Sequence, residues 1–97
     1  MARYVVLFDW TDQGVRNAKE SVKRVRQARE AFQKQDVTVE TIYWTLGSHD
    51  LVAVMSAPDG ETFAAALLQL AGAGNVRTTT LRAFDEGEFG AILGKLG

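Results

Sequence analysis

Apolar positions along this chain switch between the two-residue repeat of a strand and the three-and-four spacing of a helix, and each switch marks an element. Tyr4-Val5-Val6-Leu7-Phe8-Asp9-Trp10 is nearly continuous in its apolarity, interrupted only by Asp9. Its β-branched and aromatic side chains predict a central strand covered on both faces. Thr11 or Asp12 then caps a helix on which Val15, Ala18, Val22, Val25, Ala28 or Arg29, and Phe32 recur at helical spacing. Gly14 and Ser21 weaken that helix, so a short helical segment is expected before the main one. From Asp36 the period becomes two, with Val37, Val39, Thr41, Tyr43 and Thr45 on one side and Thr38, Glu40, Ile42, Trp44 and Leu46 on the other. Gly47 and Ser48 break this second strand, and Leu51 to Ala57 returns as the third, which predicts an antiparallel hairpin. Pro58-Asp59-Gly60 ends it, Glu61 to Ala71 reads as a second helix closing at Gly72 and Gly74, and Asn75 to Phe84 alternates as a fourth strand. The tail from Asp85 to Leu96 has helical apolar spacing but three glycines, a marginal helix that needs something to pack against.

The order strand, helix, strand, strand, helix, strand predicts a single α+β domain over residues 1–97. Right-handed crossovers give a ferredoxin-like βαββαβ arrangement: a four-stranded antiparallel sheet, two helices on one face, and a C-terminal helical tail. Helices cover only one face, yet the strands are apolar on both. Tyr4, Val6, Phe8 and Trp10 oppose Val5 and Leu7; Ile42, Trp44 and Leu46 oppose Val39 and Tyr43; Leu51, Ala53 and Met55 oppose Val52 and Val54. An uncovered apolar face predicts self-association, as a homodimer or a higher homo-oligomer, unless the tail folds back over it.

Composition narrows the partners. Eleven basic residues stand against twelve acidic ones, a net charge of −1, so no basic excess favours nucleic acid. The first helix does carry Arg16, Lys19, Lys23, Arg24, Arg26, Arg29 and Lys34, but these spread around its circumference as a solvated face. No cysteine is present, which removes disulfides, thiolate nucleophiles and cysteine-based zinc sites. The first residues read straight into a strand with no signal-peptide pattern, and no apolar run approaches the ~20 residues of a membrane helix. The expected location is the cytoplasm, with no membrane partner. No phosphate loop, nucleophile elbow, metal-binding helix motif or dinucleotide fingerprint occurs, so no cofactor or metal is expected.

The remaining chemistry is sparse. His49 is the only histidine and the natural acid–base candidate, since imidazole changes charge near neutral pH. Its bland reading is a polar hairpin residue, and with Asp50 it supplies too few ligands for a metal. Asp50, beside the glycine turn, is suited to accept backbone N–H bonds and hold the hairpin. On the fourth strand Thr78, Thr80 and Arg82 share one face. If they point away from the helices, Arg82 enters the cavity between two sheets, where its guanidinium would pair with an anionic ligand or with Asp9, Glu40 or Asp50. Tyr43, His49 and Arg82 are thus the expected ligand-binding residues, with Trp10 and Trp44 as aromatic neighbours or as packing.

The run Trp44-Thr45-Leu46-Gly47-Ser48-His49-Asp50-Leu51-Val52-Ala53-Val54, with Ala57-Pro58-Asp59 and the stretch Gly74 to Phe84, resembles the GYD domain family. The opening Tyr4-Val5-Val6-Leu7 and Trp10-Thr11-Asp12-Gln13-Gly14 fit it as well, so the resemblance spans nearly the whole chain. It implies a dimeric α/β barrel and no particular reaction. The motif that names the family is glycine, a variable residue, tyrosine and aspartate; here it reads Gly47-Ser48-His49-Asp50, with histidine in place of tyrosine, and no tyrosine-dependent role is carried onto His49. Three functional readings follow: an oligomeric small-molecule-binding or regulatory module, a cofactor-independent enzyme of the oxygenase or isomerase kind, or a structural subunit of a larger assembly. The first is the principal expectation.

Overall fold

The strand with the most continuous apolar run sits where burial on two edges rewards it most. The computed structural model describes residues 1–97 as β1 (Ala2–Trp10), α1 (Asp12–Arg16), a 3-10 turn (Ala18–Glu20), α2 (Ser21–Lys34), β2 (Thr38–Trp44), β3 (Leu51–Ala57), α3 (Gly60–Gly72), β4 (Val76–Ala83) and α4 (Glu86–Leu93). The strands form one sheet in the order β2-β3-β1-β4, every neighbour antiparallel, so β1 and β3 are central. This is the ferredoxin-like arrangement read from the sequence. The helical stretch after β1 divides as Gly14 and Ser21 suggest, into α1, the 3-10 turn and α2.

Register decides which side chains meet. Tyr4 pairs with Met55 and Arg82, Val6 with Ala53 and Thr80, Phe8 with Leu51 and Thr78. Tyr4, Val6, Phe8, Leu51, Ala53, Met55 and Ala57 therefore point to one face, where Phe32 of α2 and Phe63 and Ala66 of α3 close the core. The Tyr4 and Phe63 rings stack with centroids 3.9 Å apart.

Strict alternation fails in β2. A bulge lies between Val39 and Thr41, so Val39 pairs with Met55 and Ile42 with Ala53 on the same, helix-covered side. Glu40 is the extra residue, and the bulge swings Val39 into the core while Thr41 and Tyr43 face the other way. Unbroken alternation would set Val39 against Ile42 and Trp44. The bulge also frees Glu40 to meet Arg3, whose Nε lies 3.2 Å from its Oε2.

Helix starts are fixed by side-chain caps. Thr11 Oγ1 accepts the Gly14 N–H at 3.1 Å to begin α1, and Asp59 Oδ1 accepts the Thr62 N–H at 2.7 Å to begin α3. The bonds from Thr62 hold the Asp59 carboxyl below its ordinary value. A depressed folded-state pKa contributes stability that is present above the unfolded value of about 3.9 and lost as pH falls through the folded one. Asp59→Asn keeps an acceptor but cannot titrate. The stability advantage of the native protein over this variant, followed by urea unfolding, should therefore shrink between pH 7 and pH 3.

The tail forms α4 despite its glycines, because a full capping box starts it. Asp85 Oδ1 accepts the Glu88 N–H at 2.8 Å, and Glu88 Oε1 accepts the Asp85 N–H at 2.9 Å. No residue of α4 is buried, and Phe89 and Leu93 remain half exposed. The tail is not a lid on the sheet.

Candidate functional site

Opposite the helices lies a face built from the alternate residues of the same strands. Val5 and Leu7 of β1 pair with Val54 and Val52 of β3; Leu81 and Thr79 of β4 flank them on one side, Thr41 and Tyr43 of β2 on the other. Along β1 the buried helix-side residues Tyr4, Val6 and Phe8 alternate with half-buried open-side ones, and Leu81 and Tyr43 at the margins are exposed. The centre of this face is apolar and its ends are charged. At one end Arg3 meets Glu40 and lies 3.9 Å from Asp85, the cap of α4. At the other stand Asp9 and His49.

His49 Nδ1 lies 3.0 Å from Asp9 Oδ1 and 3.3 Å from Oδ2, with about a third of the imidazole exposed. A carboxylate only accepts, so the ring presents Nδ1–H to Asp9 and leaves Nε2 for another partner. This is an oriented histidine able to accept or deliver a proton at Nε2. Its orienting partner is not its neighbour Asp50, which works on the backbone. Asp50 Oδ2 accepts the Trp10 N–H at 2.8 Å, its own N–H donates to the Phe8 carbonyl at 2.9 Å, and its carbonyl accepts the Thr45 N–H at 2.8 Å. Asp50 thereby joins the hairpin to β1 past the last regular pair. Asp50→Ala strands the Trp10 N–H and should cost about 1–2 kcal/mol, whereas Asp50→Asn, which keeps the acceptor, should cost less; denaturant midpoints separate the two.

Of the three residues expected to share a ligand, the structure brings only two toward the open face. Tyr43 is there, opposite Val52 and 64% exposed. His49 reaches it through Asp9. Arg82 does not, because the phase of β4 places Thr78, Thr80 and Arg82 opposite Phe8, Val6 and Tyr4 on the helix side. Its guanidinium lies over the Phe84 ring at 4.4 Å and near Tyr4 at 5.7 Å, and donates to the carbonyls of Arg3 and Ala83. The condition for its entry into an inter-sheet cavity is not met, and Asp9 is partnered by His49 instead. Trp44 also faces the helices, its indole N–H donating to Ser21 Oγ at 2.9 Å. The bond between Asp9 and His49 was hidden from sequence because it depends on register: once Phe8 pairs with Leu51, the residues just beyond must meet.

A partly open apolar pocket lies on the helix side. A cavity of about 90 Å³ opens between α2, the end of α3 and the sheet, lined mainly by apolar side chains including Phe8, Trp10, Ala28 and Met55. Tyr43, His49 and Arg82 do not border it. No group of three or more His, Asp or Glu residues converges as metal ligands, and no helix is long and apolar enough to cross a membrane.

Comparison with known proteins adds three findings. A family model described as the GYD domain matches residues 4–93. A protein of Thermus thermophilus, named glutamine synthetase and cystathionine beta-lyase binding protein, is 34% identical over 84 residues, covering 86% of this chain and 88% of its own length. Among solved structures, TTHA0845 from Thermus thermophilus superposes with a TM-score of 0.57 at 28% identity, over 88% of this chain and 95% of that one. MtbAldR superposes with a TM-score of 0.67 at 15% identity over 88% of this chain; the chain spans about half of it, 52%, and the likeness is one of fold.

Proposed function

The chain belongs to the GYD domain family, and from that premise we propose that it is a homo-oligomeric binding module with a regulatory role, whose open sheet face pairs with a second copy. The observation that carries this reading is the apolar centre formed by Val5, Leu7, Val52, Val54 and Leu81, which neither the helices nor the tail covers. Apolar surface of this kind gains by leaving water, and a two-fold pairing of identical faces removes it from both copies at once. Arg3, Glu40, Asp9 and His49 would then border the seam as a polar rim. Tyr43 and His49 would stand beside the inter-sheet space as contacts for a small organic molecule. The similarity to a Thermus protein named for binding two enzymes supports protein partners for the assembled oligomer. Light scattering across a concentration series tests the pairing: a mass of twice 10.6 kDa or a higher multiple is expected, and a monodisperse monomer at every concentration would overturn it.

One observation favours an enzyme as the second reading. The oriented His49 with a free Nε2 is the minimal apparatus for moving a proton, and the fold accommodates many chemistries. A turnover that survives His49→Ala and Asp9→Asn unchanged would remove this pair from any such role.

A further inference from the structure

The cavity between α2, α3 and the sheet has a cause in the sequence. α2 packs on β2 while α3 packs on β3 and β4, and the cavity lies between the two helices over the sheet. The residues that α2 offers to the gap include Ser21 and Ala28, too small to fill it, with Val25 only partly buried. A space of about 90 Å³ with apolar walls is unfavourable for water, which needs several polar partners, and has room for one aromatic ring or a short acyl chain.

Its border is not neutral. Arg24 and Arg29 line it, and no aspartate or glutamate does. Neither arginine has a carboxylate partner; the chain's ion pairs are those of Arg3 and His49. Arg24 donates to the carbonyls of Asn17 at 2.7 Å and Gly14 at 3.3 Å, and Arg29 to that of Val39 at 3.4 Å. A guanidinium has five N–H donors, so both keep donors available; two carbonyls hold Arg24, while Arg29 is exposed and makes a single longer bond. Two cations without a carboxylate partner, beside a small apolar chamber, are complementary to one kind of molecule.

We infer that this cavity binds a small apolar carboxylate, with its ring or acyl chain among Phe8, Val25, Ala28 and Met55 and its carboxylate against Arg24 and Arg29. The inference rests on the reading of the chain as a binding module and places the ligand within one protomer, independent of the sheet-to-sheet seam.

The test is a titration of the full-length protein with benzoate and, separately, with its neutral isostere benzamide, following the methyl resonances of Met55, Val25 and Ala28 by NMR. Benzoate should shift these methyls and bind more tightly than benzamide. Arg24→Gln and Arg29→Gln, both at positions accessible to solvent, should each weaken benzoate by about tenfold and leave benzamide unchanged. Ala28→Leu should fill the chamber and abolish both. No shift with either probe at millimolar concentration, equal affinity for the two, or full benzoate affinity in both glutamine variants would overturn the inference. Light scattering on the same samples separates it from the oligomer: an intact oligomer that ignores benzoate refutes the cavity alone, and a monomer that binds benzoate with these signatures refutes the seam alone.

Discussion

Val54→Lys should separate the proposed oligomer into its subunits without unfolding them. Val54 stands at the centre of the open face, between Val5 of β1 and Thr41 of β2, and in an isolated subunit its side chain meets solvent at half burial. A lysine there can extend its ammonium into water, so the fold has little to lose. In the paired state the same ammonium would enter an apolar seam, and two-fold symmetry would bring two of them close together, each lacking a carboxylate within the face centre. A desolvated, unpaired charge costs several kcal/mol, so the dissociation constant should rise by about a hundredfold or more. Sedimentation velocity would show the mass fall to that of one chain while far-UV circular dichroism stays unchanged. Val22→Lys, on the half-exposed outer side of α2, should leave the mass alone. Should both variants associate like the native protein, the open face is not the seam.

Gly14→Ala should destabilise the domain, although helix propensity alone assigns it the opposite sign. Glycine inside a helix costs roughly 0.5–1 kcal/mol relative to alanine, and Gly14 lies within α1. A Cβ at this position would stand 2.0 Å from the carbonyl oxygen of Asn75, and that oxygen is already held by the Thr11 N–H at 3.1 Å. Relief requires α1 to lift from the start of β4. This would also disturb the bonds from Thr11 Oγ1 to Gly74 and from Gln13 Nε2 to Ala73 and Asn75. A loss of about 2–3 kcal/mol is expected, which lowers Tm by roughly 10 °C or more in a domain this small. Gly72→Ala supplies the control: a Cβ there meets nothing within 4 Å, so the substitution should be neutral or slightly stabilising. A stabilised Gly14→Ala would mean that α1 does not pack on Asn75.

The contrast at Gly14 shows where the sequence was legible. Periodicity revealed every element, because the core demands alternation in strands and helical spacing in helices, and the breaks at Gly47, Pro58 and Gly72 lie where the chain turns. It also revealed that the sheet has two apolar faces. What it could not carry was phase. One extra residue at Glu40 shifts Val39 to the core side, and the pairing of β4 with β1 sends Arg82 to the helix face. Both depend on long-range register, which a two-residue repeat leaves open by a single step. The site followed the same rule. Asp50 as an acceptor of backbone N–H bonds was readable from its place beside a glycine turn. The bond between Asp9 and His49 joins residues 40 apart, and the cavity is lined by elements distant in sequence; neither leaves a local trace. Gly14 was legible as a weak point in a helix, while the close approach that requires it comes from a residue 61 positions later.

The pairing of open faces is tested most directly by mixing isotope-labelled with unlabelled protein and recording nuclear Overhauser contacts that cross between copies. Such contacts should connect the methyl groups of Val5, Leu7, Val52, Val54 and Leu81 to the same face of the other copy and spare the outer side of α2. Intermolecular contacts confined to the helices or to α4, or none under conditions where the protein is associated, would show that the open face serves some other purpose.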